Sequence, residues 1–234
     1  MNDFFDGSQI VIGHGAQADV YSYQGYAYKV YKDSYPIEWI EFEKHQQSQI
    51  NKVGLSPIRY YETENPHIVK MDLVEGDTLE KKMLEGYPNG FELIAGIFRN
   101  IHGVDTSDVK IPLFLETAGM GLNIDDKEKV IQIIERLSGK MSSCICHLDM
   151  HFLNVMISSD YTTPIIIDWM NSRIAPAVFD YARTYVICRE FAPEIIPLYE
   201  QAITVDIKSL KISEEDFADA VTVCAILREQ EKKG

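Results

Sequence analysis

Residues 144–157 read CICHLDMHFLNVMI, two apolar runs separated by a segment that carries His147, Asp149, His151 and Asn154. Apolar runs of this kind are normally buried strands, and buried strands avoid ionisable groups unless those groups are paired or used. Asp149 and Asn154 lie five residues apart on a loop leaving the first run, and fourteen residues further on the strand PIIID ends in Asp168. Two carboxylates and an amide in this order suit phosphoryl transfer. Asp149 would orient the attacking hydroxyl and accept its proton, while Asn154 and Asp168 offer the hard oxygen ligands that Mg²⁺ prefers.

A donor nucleotide needs its own seat, and the N-terminal segment GHGAQADVYSYQGYAYKVY offers one. Gly13 and Gly15 sit between two strands rather than before a helix, which excludes a dinucleotide-binding fingerprint, and no Gly-Lys-Ser/Thr follows, which excludes a Walker A loop. A glycine-rich hairpin lying over phosphates fits better, because small residues let backbone N–H groups approach an anion. In the third strand Lys29 shares a face with Ala27, while Lys32 points the other way. Lys29 is therefore the candidate phosphate-contacting ammonium, with Glu38, Glu41 and Glu43 of the next helix as possible carboxylate partners.

The 234 residues carry 36 acidic and 22 basic side chains, a net charge of −14. This balance argues against nucleic acid or an anionic membrane as partner. The acidic start MNDFFDG is unlike a signal peptide and no apolar stretch is long enough to span a membrane, so a cytoplasmic protein is expected. Cys144, Cys146, Cys188 and Cys224 have no zinc spacing. Cys144 and Cys146, about 7 Å apart along one face of a strand, are read as free thiols. His147 and His151 are read as loop histidines bonded to nearby backbone, and Trp169 as core.

Residues 1–74 pattern as a small β-rich unit with one helix, 36–51, and residues 75–234 as a larger, mainly helical part, with helices expected at 90–104, 125–140, 178–190 and 214–231. Such a division suggests a cleft between two lobes.

These motifs resemble those of the aminoglycoside phosphotransferase and choline kinase family. HLDMHFLN is similar to the family's HGDLHPGN loop and IIIDWMN to its metal-binding IDW segment, and the similarity runs in order over about residues 8–190. The resemblance implies a two-lobed, protein-kinase-like α+β fold with the nucleotide in the cleft. It favours Glu43 as the partner of Lys29 and brings the backbone around Met71, Asp72, Leu73 and Val74 to the adenine. It makes Asp180, in FDYAR, a brace for the catalytic loop. The implied cofactors are ATP, or GTP in its place, and Mg²⁺; the implied partner is a small-molecule hydroxyl substrate. Leu148, Phe152 and Leu153 depart from the family's small residues and proline, and Ala18 stands where a third glycine often occurs.

Ala192-Pro193-Glu194 imitates the end of a protein-kinase activation segment, but VFDYARTYVICRE fills the preceding gap with a helical pattern and leaves no peptide-docking loop. The reading is an ATP- and Mg-dependent phosphotransferase acting on a small alcohol; the alternative is a nucleotide-binding module without catalysis. The net charge, with Asp206, Glu214, Glu215, Asp216 and Asp219 in the helical part, points to a cationic acceptor of the aminoglycoside or choline kind.

Overall fold

The run Tyr26-Ala-Tyr-Lys-Val-Tyr31 alternates its side chains across a central strand, and both faces of that strand are covered. Tyr28 and Val30 pack with Ile68 against Phe4, Phe5, Tyr21, Tyr23 and Tyr26 on one side. Tyr31 packs with Ala18, Val69 and the helix residue Ile40 on the other. A strand buried on both faces is held in register, because a one-residue slip would exchange the two sets.

The computed structural model describes residues 4–158 and 163–233. Its elements run β1 (Ile10–His14), β2 (Ala18–Tyr23), β3 (Tyr26–Tyr31), α1 (Ile37–Lys52), β4 (Tyr60–Tyr61), β5 (Ile68–Asp72) and β6 (Gly76–Thr78). There follow α2 (Leu79–Leu84), α3 (Gly90–His102), α4 (Phe114–Thr117), α5 (Ile124–Lys140), β7 (Ser143–Cys146), β8 (Val155–Ser158) and β9 (Pro164–Ile166). The chain closes with β10 (Arg173–Pro176), α6 (Val178–Phe191), α7 (Ile196–Ser209) and α8 (Glu214–Glu231). Among the described residues no helix is long and apolar enough to cross a membrane.

Two compact units result, Met1–Asp77 with Met156–Met170, and Thr78–Val155 with Asn171–Gly234. The expected boundary after residue 74 therefore falls three residues later, and the segment 156–170 joins the first unit. The physical cause is long-range: β8 lies between β6 and β9 in a three-stranded sheet, and Tyr35 donates its hydroxyl to the Met170 sulfur.

In the first unit the antiparallel sheet has the order β1-β2-β3-β5-β4. Helix α1 starts at Pro36, which needs no N–H at a helix start, and Gln47 and Asn51 donate their side-chain amides to the Ile58 carbonyl. In the second unit α3 turns Ile94, Ile97, Phe98 and Ile101 inward at helical spacing, and α5 does the same with Val130, Ile134 and Leu137. Its Gly139, expected near the helix end, lies within the last turn. Helix α7 follows Pro193 and was not anticipated from the sequence pattern. Ion pairs tie the helices together: Arg99 of α3 to Asp206 of α7, and Arg136 and Lys140 of α5 to Asp216 of α8.

Gly76 has φ +151°, and a β-carbon there would lie 2.2 Å from the Ile157 carbonyl oxygen. Gly76→Ala is expected to cost at least about 2 kcal/mol, whereas Gly139→Ala, with open space around it, should gain up to about 0.5 kcal/mol. Denaturant midpoints of the two variants check this; equal midpoints would refute the close approach at Gly76.

Candidate active site

Within the first unit, Glu43 of α1 points into the sheet, where its side chain is 2% exposed. Its carboxylate accepts hydrogen bonds from Lys29 Nζ at 2.8 and 3.0 Å, from the Tyr31 hydroxyl at 2.6 Å and from the Tyr60 hydroxyl at 3.1 Å. A buried ion pair is stable only when its remaining polar positions are satisfied, and the two tyrosines do that here. Asp168 Oδ2 lies 3.9 Å from Lys29 Nζ. Burial opposes the ammonium charge, but Asp168 and Glu43 outweigh it and raise the Lys29 pKa above its ordinary value. Lys32, by contrast, is exposed and donates to the Ala16 carbonyl. Of the other helix acids considered, Glu38 is exposed and Glu41 pairs with Lys44.

The glycines take different parts. Gly13 lies in β1 opposite Val20, beside an irregularity in the register. Gly15 donates its amide to the Ala18 carbonyl at 2.8 Å and so closes the hairpin. Asp72 likewise donates its amide to the Arg59 carbonyl, and its carboxylate accepts from the Arg59 amide and the Tyr61 hydroxyl. Of its neighbours, Met71 is in β5 and Leu73 and Val74 follow it.

Within the second unit, the opening stretch leaves β7 and turns at Leu148, whose φ is +59°. That left-handed turn is unusual for a bulky residue and persists only where the surroundings impose it. Asp180 of α6 imposes it, accepting from the amides of His147 at 3.0 Å and Leu148 at 2.7 Å and from the ring of His102 at 2.9 Å. Further along, the Asp149 amide donates to His147 Nδ1, Asn154 Nδ2 donates to the Asp149 carbonyl, and the Thr184 hydroxyl donates to the Met150 carbonyl. Asn154 thus keeps its side-chain oxygen as an acceptor. In the first unit Asp168 has a left-handed backbone, at φ +61°, and its carboxylate is a hard oxygen donor of the kind that suits a divalent cation.

The Asp149 side chain lies 3.6 Å from the guanidinium of Arg183 and 3.9 Å from His151. Arg183 is buried and also donates to Glu231 of α8. The sequence reading missed Arg183 and Thr184. Their signal was present: both follow Asp180 by about one helical turn, which sets them on the side of α6 that meets the loop. A cavity of about 370 Å³ in this unit is bordered by Asp149 and His151.

The acids expected to attract a cationic acceptor do not border it. Asp206 and Asp216 are buried and paired with Arg99, Arg136 and Lys140, and Asp219 pairs with Arg136. Glu214 and Glu215 are exposed in the first turn of α8, where acids favour the helix N-terminus. The four cysteines are buried and free, with the Cys144 and Cys146 sulfurs 3.9 Å apart. Trp169 is buried and donates to the Ile166 carbonyl.

A protein-kinase-like fold with this loop and this lysine–glutamate pair defines a class, and comparison with known proteins agrees. The sequence matches the model of the phosphotransferase enzyme family over residues 10–211. The chain belongs to that family of phosphotransferase enzymes. No curated protein matches the sequence. Among solved structures, an aminoglycoside phosphotransferase from Streptomyces rimosus, in complex with ADP and streptomycin, is similar with a TM-score of 0.66 at 14% identity over 97% of this chain and 95% of that one. A choline kinase from Streptococcus pneumoniae gives 0.63 at 17% identity over 94% and 83%. An amicoumacin kinase in complex with AMP-PNP and Ca²⁺ gives 0.64 at 12% identity over 97% and 81%.

Burial works against a charged His102, but the hydrogen bond and charge of Asp180 outweigh it, and its pKa ends above the ordinary value. The stabilisation is complete below the unfolded value of about 6.5 and is lost as pH rises through the higher folded value. Urea unfolding of wild type should therefore show a loss of stability above about pH 6.5 that His102→Gln lacks. Parallel pH profiles for the two proteins would contradict the raised pKa.

Proposed function

We propose that this protein transfers the γ-phosphate of ATP to a hydroxyl of a small molecule, with Mg²⁺ as the metal. The observation that carries the reading is Lys29, held by Glu43 at 2.8 Å and lying 3.9 Å from Asp168, so that one half-buried cation and one accessible carboxylate are offered together. Bound Mg²⁺ would neutralise charge on the donor phosphates. Asp168 and Asn154 would be its protein ligands, and Lys29 would meet the α- and β-phosphates. Gly13 would let the β1–β2 hairpin approach the phosphates, and the backbone after Met71 would meet the base. The similar proteins bound to ADP and to AMP-PNP support a nucleotide donor.

Asp149 would hold the acceptor hydroxyl and take its proton as the oxygen–phosphorus bond forms. Arg183 would fix the carboxylate in direction. Positioning and charge stabilisation supply most of the rate in chemistry of this kind. A nucleotide-binding module without catalysis is the alternative. The retention of Lys29, Asp149, Asn154 and Asp168 together weighs against it, and Mg-dependent ATP consumption with a panel of alcohols separates the two.

The roles predict different failures. Asp149→Asn should keep nucleotide affinity and lose turnover by about 10²-fold or more, whereas Asp168→Ala should also weaken binding of the metal–nucleotide pair. Lys29→Ala should impair transfer strongly and Lys32→Ala slightly. Steady-state kinetics with nucleotide titrations read both comparisons. Near-normal turnover in Asp149→Asn, or a reversed ranking of the lysines, would refute the assignment.

A further inference from the structure

The cavity beside Asp149 has a composition that bears on the acceptor. Its walls include Ile94 of α3, Phe152 of the loop that carries Asp149, Ile187 and Cys188 of α6, and Tyr199 of α7. The hydroxyls that might have bonded a ligand are committed elsewhere: Thr184 donates to the Met150 carbonyl at 2.7 Å and Tyr199 to the Tyr181 carbonyl at 2.9 Å. A polar group of the ligand entering this space would give up water with few protein partners in exchange.

Charge at the cavity is nearly balanced, although the chain is strongly acidic. Arg228 borders the cavity and is answered by Glu190 at 2.9 Å and Glu231 at 3.2 Å. Asp149 faces Arg183 and His151, and Lys232 adds a further cation 3.3 Å from Glu190. Glu80, which is exposed, is the acid on the lining to which no cation is paired among the described residues. An ammonium group would meet the Arg228 guanidinium on the lining, where the carboxylates are Asp149, which faces Arg183, and the exposed Glu80.

Two further features concern size and cover. At about 30 Å³ per water, 370 Å³ corresponds to on the order of a dozen waters, at the small end of ligand pockets. Phe191 and Leu153 line the same cavity and are 68% and 47% exposed, apolar surface that an apolar ligand would cover.

We infer that the acceptor is a neutral alcohol with a compact, mainly apolar body, its hydroxyl turned to Asp149 and its body lying along Ile187, Cys188 and Phe191. The inference rests on the phosphotransferase reading above and narrows it to a substrate class.

The test compares three probes of one length, octan-1-ol, octane-1,8-diol and 8-aminooctan-1-ol, by calorimetric binding to the full chain. Octan-1-ol is expected to bind at least tenfold more tightly than the aminoalcohol, with the diol between them. Phe191→Ser, a change at an exposed position, should weaken octan-1-ol at least threefold. The inference is overturned if the aminoalcohol binds more tightly than the diol, if octan-1-ol does not bind up to its solubility limit, or if Phe191→Ser leaves its affinity unchanged. Mg-dependent ATP consumption is measured with the same probes. Binding in the expected order without alcohol-dependent consumption would support the cavity assignment and refute the transfer reaction, so the two readings fail separately.

Discussion

The carboxylate of Asp180 is buried in the second unit with three hydrogen bonds to it, from two successive loop amides and one imidazole. The two amides belong to a turn that a leucine would not adopt unaided. Because the same carboxylate receives His102 from α3, it joins helix, loop and α6 at one point. A buried acceptor with all its partners in place is specific about geometry, since a shifted partner leaves an unsatisfied charge. The direction of the Asp149 side chain, the position of Asn154 and the border of the cavity all follow from the loop path that Asp180 fixes.

The first unit uses the same device, a buried carboxylate with its partners in place. Lys29 is placed by strand alternation, Glu43 by the helix that crosses the sheet, and two tyrosines complete the carboxylate. Neither charge would be tolerated alone in this setting. The pair constrains the pitch of α1 against β3 as well as presenting an ammonium beside Asp168.

Much of this was legible in the sequence because it is local. The acid and amide in HLDMHFLN, the strand ending in Asp168 and the lysine on an alternating strand are each fixed by a few neighbouring residues. The resemblance added Glu43 and Asp180, and the structure brings each to its expected partner. What was not legible depends on contacts across long stretches of chain. Tyr60 reaches Glu43 from seventeen residues away, and Glu231 reaches Arg183 from forty-eight. Composition counts Asp206 and Asp216 as charge, while packing pairs them with arginine and lysine.

Arg183 stands between Asp149 and Glu231, and Glu231 is the last residue of α8. Helix ends fray at temperatures well below those that open a core. Each fraying event would release Glu231 and leave the buried guanidinium with Asp149 as its remaining counter-charge among the described residues, which would shift that side chain. Heat should therefore silence this protein in two stages, a reversible loss of activity seated in the final helical turn and, at higher temperature, the cooperative melting of the fold.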